Sequence, residues 1–308
     1  MNAIEVNKLT KKFGKFTSVD AISFSVREGE VFGFLGANGA GKSTTIRMLI
    51  GILEPTSGDA MVAGYSIVKD PNKVKENIGY MSQRFSLYND ISVEENINFF
   101  AGIYGLSGKL LAERKEWVLR MANLEKQKNI ITGSLPGGIK QRLALGTAVI
   151  HKPKIVFLDE PTSGVDPISR RAFWELINLL AEEGITVLVT THYLEEAEFC
   201  GNIILMNAGK LIAEGTPKYM KTGYIQENIY EIQASNPADA LEFVSKAPFV
   251  HESNIFGNNI HLFIPKEIDA VTSLTNYFAQ STFRLNSIKK VSATLEDVFI
   301  HLLEKDAQ

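Results

Sequence analysis

Six side chains sit where they could hold and cleave a phosphoanhydride: Lys42, Ser43, Gln83, Asp159, Glu160 and His192. The first two close the run Gly36-Ala37-Asn38-Gly39-Ala40-Gly41-Lys42-Ser43, with spacing G-x-x-x-x-G-K-S. An apolar stretch, Val31 to Leu35, precedes it, and an apolar-periodic segment through Ile46, Leu49 and Ile50 follows. Glycines let consecutive backbone N–H groups converge on an anion without Cβ clashes, and a helix start adds partial positive charge. In that strand-to-helix setting the lysine ammonium reaches the β- and γ-phosphates and the serine hydroxyl ligates Mg²⁺. A glycine-rich turn that merely packs closely is the plain alternative, and both flanks argue against it. The predicted ligand is a nucleoside triphosphate.

Asp159 and Glu160 end the apolar run Ile155-Val156-Phe157-Leu158. An aspartate there can hold Mg²⁺ through water, and the glutamate can orient or deprotonate an attacking water. An acidic strand exit is common by itself. Two acids at the carboxyl end of a buried parallel strand, beside a phosphate loop, point to chemistry. His192 ends the neighbouring run Thr186 to Thr191, within reach of a γ-phosphate, although a lone histidine is more often structural. Gln83 lies at another strand end. On position alone, a contact to metal or water and a merely structural place are equally open. Phe13 stands among Lys11, Lys12 and Lys15, either as a platform for a base or as an incidental aromatic on a surface hairpin.

These residues need elements to position them. Ile4, Val6 and Leu9 predict an edge strand, and Ala21 to Val26 alternates as a second. After a turn at Pro55 to Asp59 comes a strand through Met61, Val62 and Ala63. Leu87 to Ile150 is mostly helical, with apolar faces over Val93 to Tyr104 and Leu110 to Leu124 and a third helix starting near Pro136. Pro167 to Glu183 is amphipathic, with Phe173, Leu176, Ile177 and Leu180 on one face and Gly184 as its stop. Asn202 to Glu214 reads as a hairpin turning at Asn207-Ala208-Gly209. From Ile229 the order is strand, helix, strand (Ile255 to Pro265), helix (Glu267 to Ala279), strand (Leu285 to Val291) and a last helix, Leu295 to Glu304. That alternation predicts a small α+β domain without a catalytic constellation.

The chain has 308 residues, 45% of them hydrophobic, a length that suits about two domains. A net charge of −3 gives no support for a nucleic-acid partner, which usually wants a basic face. The single cysteine, Cys200, excludes an internal disulfide and fits a reducing compartment. No run approaches the ~18 to 20 apolar residues that span a bilayer, and the first residues do not read as a signal peptide. The expectation is a cytosolic chain that acts at a membrane only through other chains.

In these motifs and their order, the stretch from about Ile4 to Glu214 resembles the nucleotide-binding subunit of ATP-binding cassette (ABC) transporters. The resemblance implies an α/β P-loop NTPase fold over 1–222, with a parallel core sheet, an antiparallel β subdomain and a helical insert at about 87–150. A small C-terminal α+β accessory or regulatory domain would occupy 223–308. Phe13 falls where the family stacks an aromatic on adenine. Gly36, Asn38, Gly39, Ala40, Gly41, Lys42, Ser43 and Thr44 match its Walker A loop, and Gln83 its Q-loop. Leu135-Pro136-Gly137-Gly138 with Lys140-Gln141-Arg142 matches the signature motif. Ile155 to Glu160 matches the Walker B strand, Ser163 to Asp166 the D-loop, and His192 the H-loop. By this likeness ATP and Mg²⁺ are the cofactors. Ser43, Gln83 and Asp159 would hold the metal, Glu160 would act as base, and His192 and Gln83 would complete the γ-phosphate end.

The resemblance also implies a mechanism. Two such subunits sandwich two ATP molecules, each Walker A loop facing the partner's signature, so that Pro136, Gly137, Gly138 and Asp166 would meet nucleotide across the dimer. Closure moves the helices of a separate integral-membrane permease, whose coupling helix enters the insert, and hydrolysis resets the pair. One departure stands out. The usual signature has serine at Pro136 and glutamine at Ile139, and losing one hydrogen bond to a charged group costs roughly 1.5 to 3 kcal/mol. Weaker closure or slower turnover is expected, not a dead site.

The Leu-Pro-Gly-Gly variant and Thr294-Leu295-Glu296-Asp297-Val298-Phe299 are similar to ATPases of ABC-2 type exporters, including those for drug and antibiotic resistance. The implied partners are an ABC-2 type permease and a second nucleotide-binding domain, with a homodimer favoured over a heterodimer. The implied location is peripheral, on the cytoplasmic face of the membrane. From residues alone the last helix, with Leu295, Val298, Phe299 and Leu302 on one side, either packs on its own domain or contacts a partner. Two other readings compete. A soluble cassette ATPase acting on ribosomes or DNA would usually show two cassettes or a coiled-coil insert, and neither is present. A partly degenerate ATP-switch subunit of a heterodimer is kept open by Pro136 and opposed by Asp159 and Glu160.

Overall fold

The computed structural model describes residues 1–83 and 86–307. They form two compact units, Met1–Thr216 and the remainder from Pro217. The break falls before Pro217 rather than after Thr222. A short helix, Pro217–Gly223, packs on the final helix of the second unit.

In chain order the first unit runs β1 (Asn2–Phe13), β2 (Phe16–Arg27), β3 (Val31–Gly36), α1 (Lys42–Leu49), β4 (Ser57–Val62) and β5 (Tyr65–Ser66). It continues with α2 (Pro71–Asn77), β6 (Ile78–Met81), α3 (Val93–Ile103), α4 (Gly108–Met121) and α5 (Gly137–Ala148). It closes with β7 (Ile155–Asp159), α6 (Pro167–Glu182), β8 (Thr186–Thr191), β9 (Asn202–Asn207) and β10 (Lys210–Gly215).

Burial pattern sorts the strands into two sheets. Every residue of β3, β7 and β8 is buried, as expected of strands covered on both faces, and these pair in parallel. Their sheet has the order β10-β9-β3-β8-β7-β6. β2, by contrast, alternates buried and exposed residues and lies in an antiparallel sheet of order β2-β1-β4-β5. β1 is therefore an inner strand, not the edge expected for it. Apart from the buried Thr10, its polar residues lie toward solvent, while its backbone pairs with β2 on one side and β4 on the other.

One core joins these layers. Ile4, Leu9 and Val26 pack with Phe32, Phe34, Ile46 and Leu49, and the Phe24 ring stacks on Phe32 and Phe34 at centroid distances of 5.9 and 5.7 Å. Fully burying an aromatic or aliphatic side chain of this size is worth about 1.5 to 3 kcal/mol. The helical insert keeps a separate core of Val93, Ile97, Val118, Leu143 and Ile150. It is tied to the sheet where α5 ends, because a Cβ on Gly79 would come 2.2 Å from the Ala148 carbonyl oxygen. Helix α6 buries Trp174 as well as Phe173, Ile177 and Leu180. Its covered face is wider than the expected stripe because it touches α5, β3 and β8.

The second unit runs α7 (Pro217–Gly223), β11 (Asn228–Ala234), α8 (Pro237–Val244), β12 (Glu252–Phe256), β13 (Asn259–Ile264), α9 (Ala270–Phe278), β14 (Leu285–Val291) and α10 (Leu295–Ala307). Its antiparallel sheet has the order β12-β13-β11-β14. The single strand expected over Ile255 to Pro265 is a hairpin, with Phe256 opposite Asn259 and Gly257 at φ +60° in the turn. At the start of α10, the Thr294 hydroxyl accepts from the Asp297 N–H at 3.1 Å and Asp297 accepts from the Thr294 N–H at 2.8 Å, a reciprocal cap. The other Asp297 oxygen, Oδ1, meets His261 Nδ1 on β13 at 2.8 Å. The Thr-Leu-Glu-Asp stretch thus caps a helix and pins it to the sheet of its own unit. Among the described residues no helix is long and apolar enough to cross a membrane.

Candidate nucleotide-binding site

The glycine run leaves β3 and turns directly into α1, and two of its glycines are sterically required. A Cβ on Gly36 would lie 2.2 Å from the Met206 carbonyl oxygen, and one on Gly41 would lie 2.4 Å from that of Ser18. Gly41 also has φ +110°, where L side chains are strained. The loop is thereby held against β2 and β9, with the free N–H groups of the α1 start at its open side. Lys42 is 4% exposed and curls back over the loop, donating to the carbonyl oxygens of Gly36 at 2.8 Å and Ala37 at 3.2 Å.

Sheet register brings the acids alongside. β3 pairs with β8 from Val31 to Leu35, and β7 pairs with β8 up to Asp159 opposite Thr190. Three strand ends therefore share one edge. Ser43 Oγ donates to Asp159 Oδ1 at 2.9 Å, and Thr190 Oγ1 donates to the same oxygen at 2.8 Å. Glu160 has φ +47°, a costly backbone for a side chain this long. Its N–H donates to the Thr190 hydroxyl at 2.9 Å, which holds that turn. The Glu160 carboxylate, almost fully buried, has Oε1 3.3 Å from Lys42 Nζ and Oε2 accepting from Gln83 Nε2 at 3.1 Å. His192 Nδ1 lies 3.3 Å from Oε2, close but without hydrogen-bond geometry.

Over the loop opens a cleft of about 450 Å³, lined by Phe16, Ser18, Asn38, Gly39, Gly41, Lys42, Ser43, Thr44, Gln83 and Glu160. The Ser18 hydroxyl donates to Thr44 Oγ1 at 3.0 Å and fixes that wall. Ala40 is buried behind the loop, where Gly209 N–H donates to its carbonyl oxygen. The aromatic on the cleft wall is Phe16, directly opposite Phe13 across the β1–β2 hairpin. Phe13 is 50% exposed, with the Lys11 ammonium 5.3 Å from its ring centre. A larger cleft of about 720 Å³ on the antiparallel sheet is lined by Glu5, Asp59 and Glu214 among others, a charge unsuited to phosphate.

Pro136, Gly137, Gly138 and Asp166 do not line the phosphate cleft. Pro136 is the N-cap of α5, not its first helical residue. Its carbonyl oxygen accepts from Ile139 N–H at 3.0 Å and Lys140 N–H at 3.1 Å, and it offers no side-chain cap. Gly138 sits so close to α6 that a Cβ would lie 2.6 Å from Ser169 Oγ. Asp166 caps α6, accepting from Ser169 N–H at 2.9 Å, and its hydrogen bonds to Ser169 hold the carboxyl below its usual pKa.

Two residues of this arrangement escaped the sequence reading. Thr190 bridges both acids, and the buried Gln141 of α5 donates to the Pro161 carbonyl oxygen, tying the signature helix to the exit of β7. Both are polar residues inside otherwise apolar elements, which is the signal that marks them. For a metal, the neighbouring donors are oxygens, the Ser43 hydroxyl and the Asp159 carboxylate, and among the described residues no group of three or more His, Cys, Asp or Glu could hold an ion by itself. Such a set suits Mg²⁺, which takes one or two protein oxygens and completes its shell with phosphate and water.

The family model described as ABC transporter matches residues 19–163, and an AAA domain model matches 134–196. "Probable multidrug ABC transporter ATP-binding protein YbhF" of Escherichia coli (strain K12) is 50% identical over 218 residues, 71% of this chain. The chain's match spans only 38% of that relative's length. Linearmycin resistance ATP-binding protein LnrL of Bacillus subtilis (strain 168) is 35% identical, covering 97% of both chains. Nod factor export ATP-binding protein I of Paraburkholderia xenovorans (strain LB400) is 34% identical, covering 99% of this chain and 98% of its own. Among solved structures, cbiO1 from Clostridium perfringens superposes with a TM-score of 0.67 at 29% identity, over 72% of this chain and 91% of that one. A cassette solved as a post-hydrolysis dimer bound to ADP and Pi gives 0.63 at 27% identity, over 69% and 98%. A phosphate loop backed by two strand-end acids, on a sheet that superposes on solved cassettes and in a sequence matching two such relatives over 97% or more of both chains, places this chain in the family of ABC transporter ATP-binding proteins.

Proposed function

We propose that this chain binds ATP with Mg²⁺ on the Gly36–Thr44 loop, hydrolyses it, and uses the cycle to drive export through a separate membrane permease. The observation that carries this reading is the convergence of Lys42, Gln83 and His192 on the one carboxylate of Glu160, beside the Ser43–Asp159 pair. The loop N–H groups and Lys42 hold the β- and γ-phosphates. Ser43 and Asp159, with the Gln83 amide oxygen, would hold Mg²⁺, which would supply positive charge to the phosphate end. Glu160 takes a proton from the attacking water as its oxygen bonds to the γ-phosphorus and the bond to the β–γ bridging oxygen breaks. His192 and Gln83 orient that end, and an aromatic of the β1–β2 hairpin, Phe16 or Phe13, stacks on the base.

The remaining assignments rest on the family resemblance of the motifs. A second copy supplies Pro136, Gly137, Gly138 and Asp166 across the dimer. The permease is of the ABC-2 type and docks on the insert, where Tyr88, Phe99 and Ile103 are exposed. The chain thus works on the cytoplasmic face of the membrane. Residues 1–216 are the cassette, and those from Pro217 form an accessory domain. Multidrug, linearmycin-resistance and Nod-factor-export relatives favour a small-molecule cargo. Replacing Lys42 by Ala tests the core of the proposal. The thermal stabilisation given by ATP and magnesium should vanish together with phosphate release, and a parent-like shift with parent-like turnover would remove the phosphate role.

A further inference from the structure

Glu196 is a carboxylate with 2% exposure, on the short 3₁₀ segment Leu194–Phe199 that follows His192. An ionised side chain so buried must be fully bonded to persist, and its partners come from both loops that frame the Glu160 end of the cleft. Oε1 accepts from Thr162 Oγ1 at 2.5 Å, two residues after Glu160. Oε2 accepts from Thr191 Oγ1 at 2.6 Å, the residue immediately before His192. Both threonines are 1% exposed. The Arg170 guanidinium provides the counter-charge, with Nε 3.4 Å from Oε1.

Two connections run from this carboxylate to the His192 ring. The Thr191 hydroxyl that donates to Glu196 also accepts from the Tyr193 N–H at 3.0 Å, so the backbone is bent tightly around His192. Arg170, held by Glu196, lies 4.2 Å over the Tyr193 ring, and that ring in turn lies 4.1 Å from the imidazole of His192. Arg170 also donates to the Val165 carbonyl oxygen at 3.4 Å, in the loop between Glu160 and Asp166. The hydrogen bonds and ion pair of Glu196 go to Thr162, Thr191 and Arg170, none of them in the glycine loop.

We infer that Glu196 is a positioning residue, which clamps Thr162 and Thr191 so that His192 and the loop after Glu160 keep a fixed spacing at the γ-phosphate end. The inference rests on the proposed role of His192 and extends it. It predicts a rate effect without a binding effect. In steady-state hydrolysis by the full-length chain, Glu196→Ala and Thr191→Val should each lower kcat at least tenfold, with KM for ATP within threefold of the parent. Thr191→Ser, which keeps the hydroxyl, should bring kcat back to within threefold. In a His192→Ala background, Glu196→Ala should cost less than a further twofold. A merely structural role predicts the opposite, a full tenfold on top of His192→Ala, and that result or a raised KM at unchanged kcat overturns the inference. The imidazole resonances of His192, read by NMR without nucleotide, keep the two ideas apart. They should move in Thr191→Val, the milder variant should Glu196→Ala fold poorly. Unmoved resonances overturn the positioning role, whereas His192→Ala turning over at the parent rate sinks only the catalytic reading of that histidine.

Discussion

Exchanging Glu160 for Gln removes one charge without changing the shape of the cleft, and the structure sets two opposite consequences. In the nucleotide-free chain the Glu160 carboxylate lies 3.3 Å from the Lys42 ammonium. At an effective dielectric of about 20 that is a gross attraction of about 5 kcal/mol. Most of it is offset by desolvation, and a hydrogen bond to a charged group nets about 1.5 to 3 kcal/mol. Part of this must be given up when Lys42 turns to a phosphate, and the carboxylate then also repels the incoming anion. Glutamine keeps one carbonyl acceptor in place of the two carboxylate oxygens that meet Lys42 and Gln83, and it carries no charge. ATP should therefore bind about 1 to 2 kcal/mol more tightly, roughly 5- to 30-fold. Turnover should fall by about 10² to 10⁴, the usual contribution of a positioned base. Titration with a fluorescent ATP analogue reads the first effect and phosphate release the second. Parent-rate hydrolysis would refute the base assignment, and weaker ATP binding would refute the competition between Glu160 and phosphate for Lys42.

Other outcomes follow from particular contacts. Gly41→Ala puts a Cβ 2.4 Å from the Ser18 carbonyl oxygen at a φ of +110°. Backbone strain of about 1 to 3 kcal/mol should lower the melting temperature and abolish the ATP-dependent shift, both seen in one thermal scan. Pro136→Ser gives α5 the side-chain cap it lacks, worth about 1 kcal/mol, and should lower the ATP concentration needed for dimerisation in sedimentation runs. In the second unit, burial pushes the His261 pKa down, but the hydrogen bond and charge of Asp297, with the charge of Glu231, outweigh it and leave it raised. Burial likewise pushes Asp297 up, yet hydrogen bonds from His261 and Thr294 hold it below its ordinary value. A raised histidine stabilises fully below its unfolded pKa of about 6.5 and loses that as pH rises through the folded value. A lowered aspartate stabilises above about 3.9 and loses that as pH falls through its folded value. The opening free energy at β13 and α10, from hydrogen exchange corrected for the intrinsic amide rate, should therefore fall as pH rises above about 6.5, and His261→Gln should flatten that fall.

What the sequence discloses divides along a physical line. The phosphate loop is legible because its spacing and flanks are local, and the strands β3, β7 and β8 because continuous apolar runs announce burial on both faces. The histidine and acids at their ends follow once those strands are parallel neighbours. Thr190, Gln141 and Glu196 are different, since each is defined by a partner 20 to 34 residues away. Only the fold says which polar residue inside an apolar element is bonded to what. The inner place of β1 was hidden because its partners β2 and β4 lie on opposite sides of it. The β12–β13 hairpin was hidden because Gly257-Asn258 makes a two-residue turn inside one apparent apolar run. The choice between Phe13 and Phe16 depends on which side of a hairpin faces the cleft, which three lysines and two phenylalanines around Gly14 do not encode.

Cross-linking across the dimer reaches the central claim most directly, that ATP on the Gly36–Thr44 loop is closed off by Gly137 and Gly138 of a second copy. Asn38 and Gly137 are both exposed, and the native Cys200 is buried with its thiol pKa pushed up, so cysteines placed at 38 and 137 would be the reactive ones. In a Glu160→Gln chain carrying Asn38→Cys and Gly137→Cys, disulfide-linked dimers should form with ATP and magnesium and not without them. Cross-linking that is absent with nucleotide, or equal in its absence, would contradict the account.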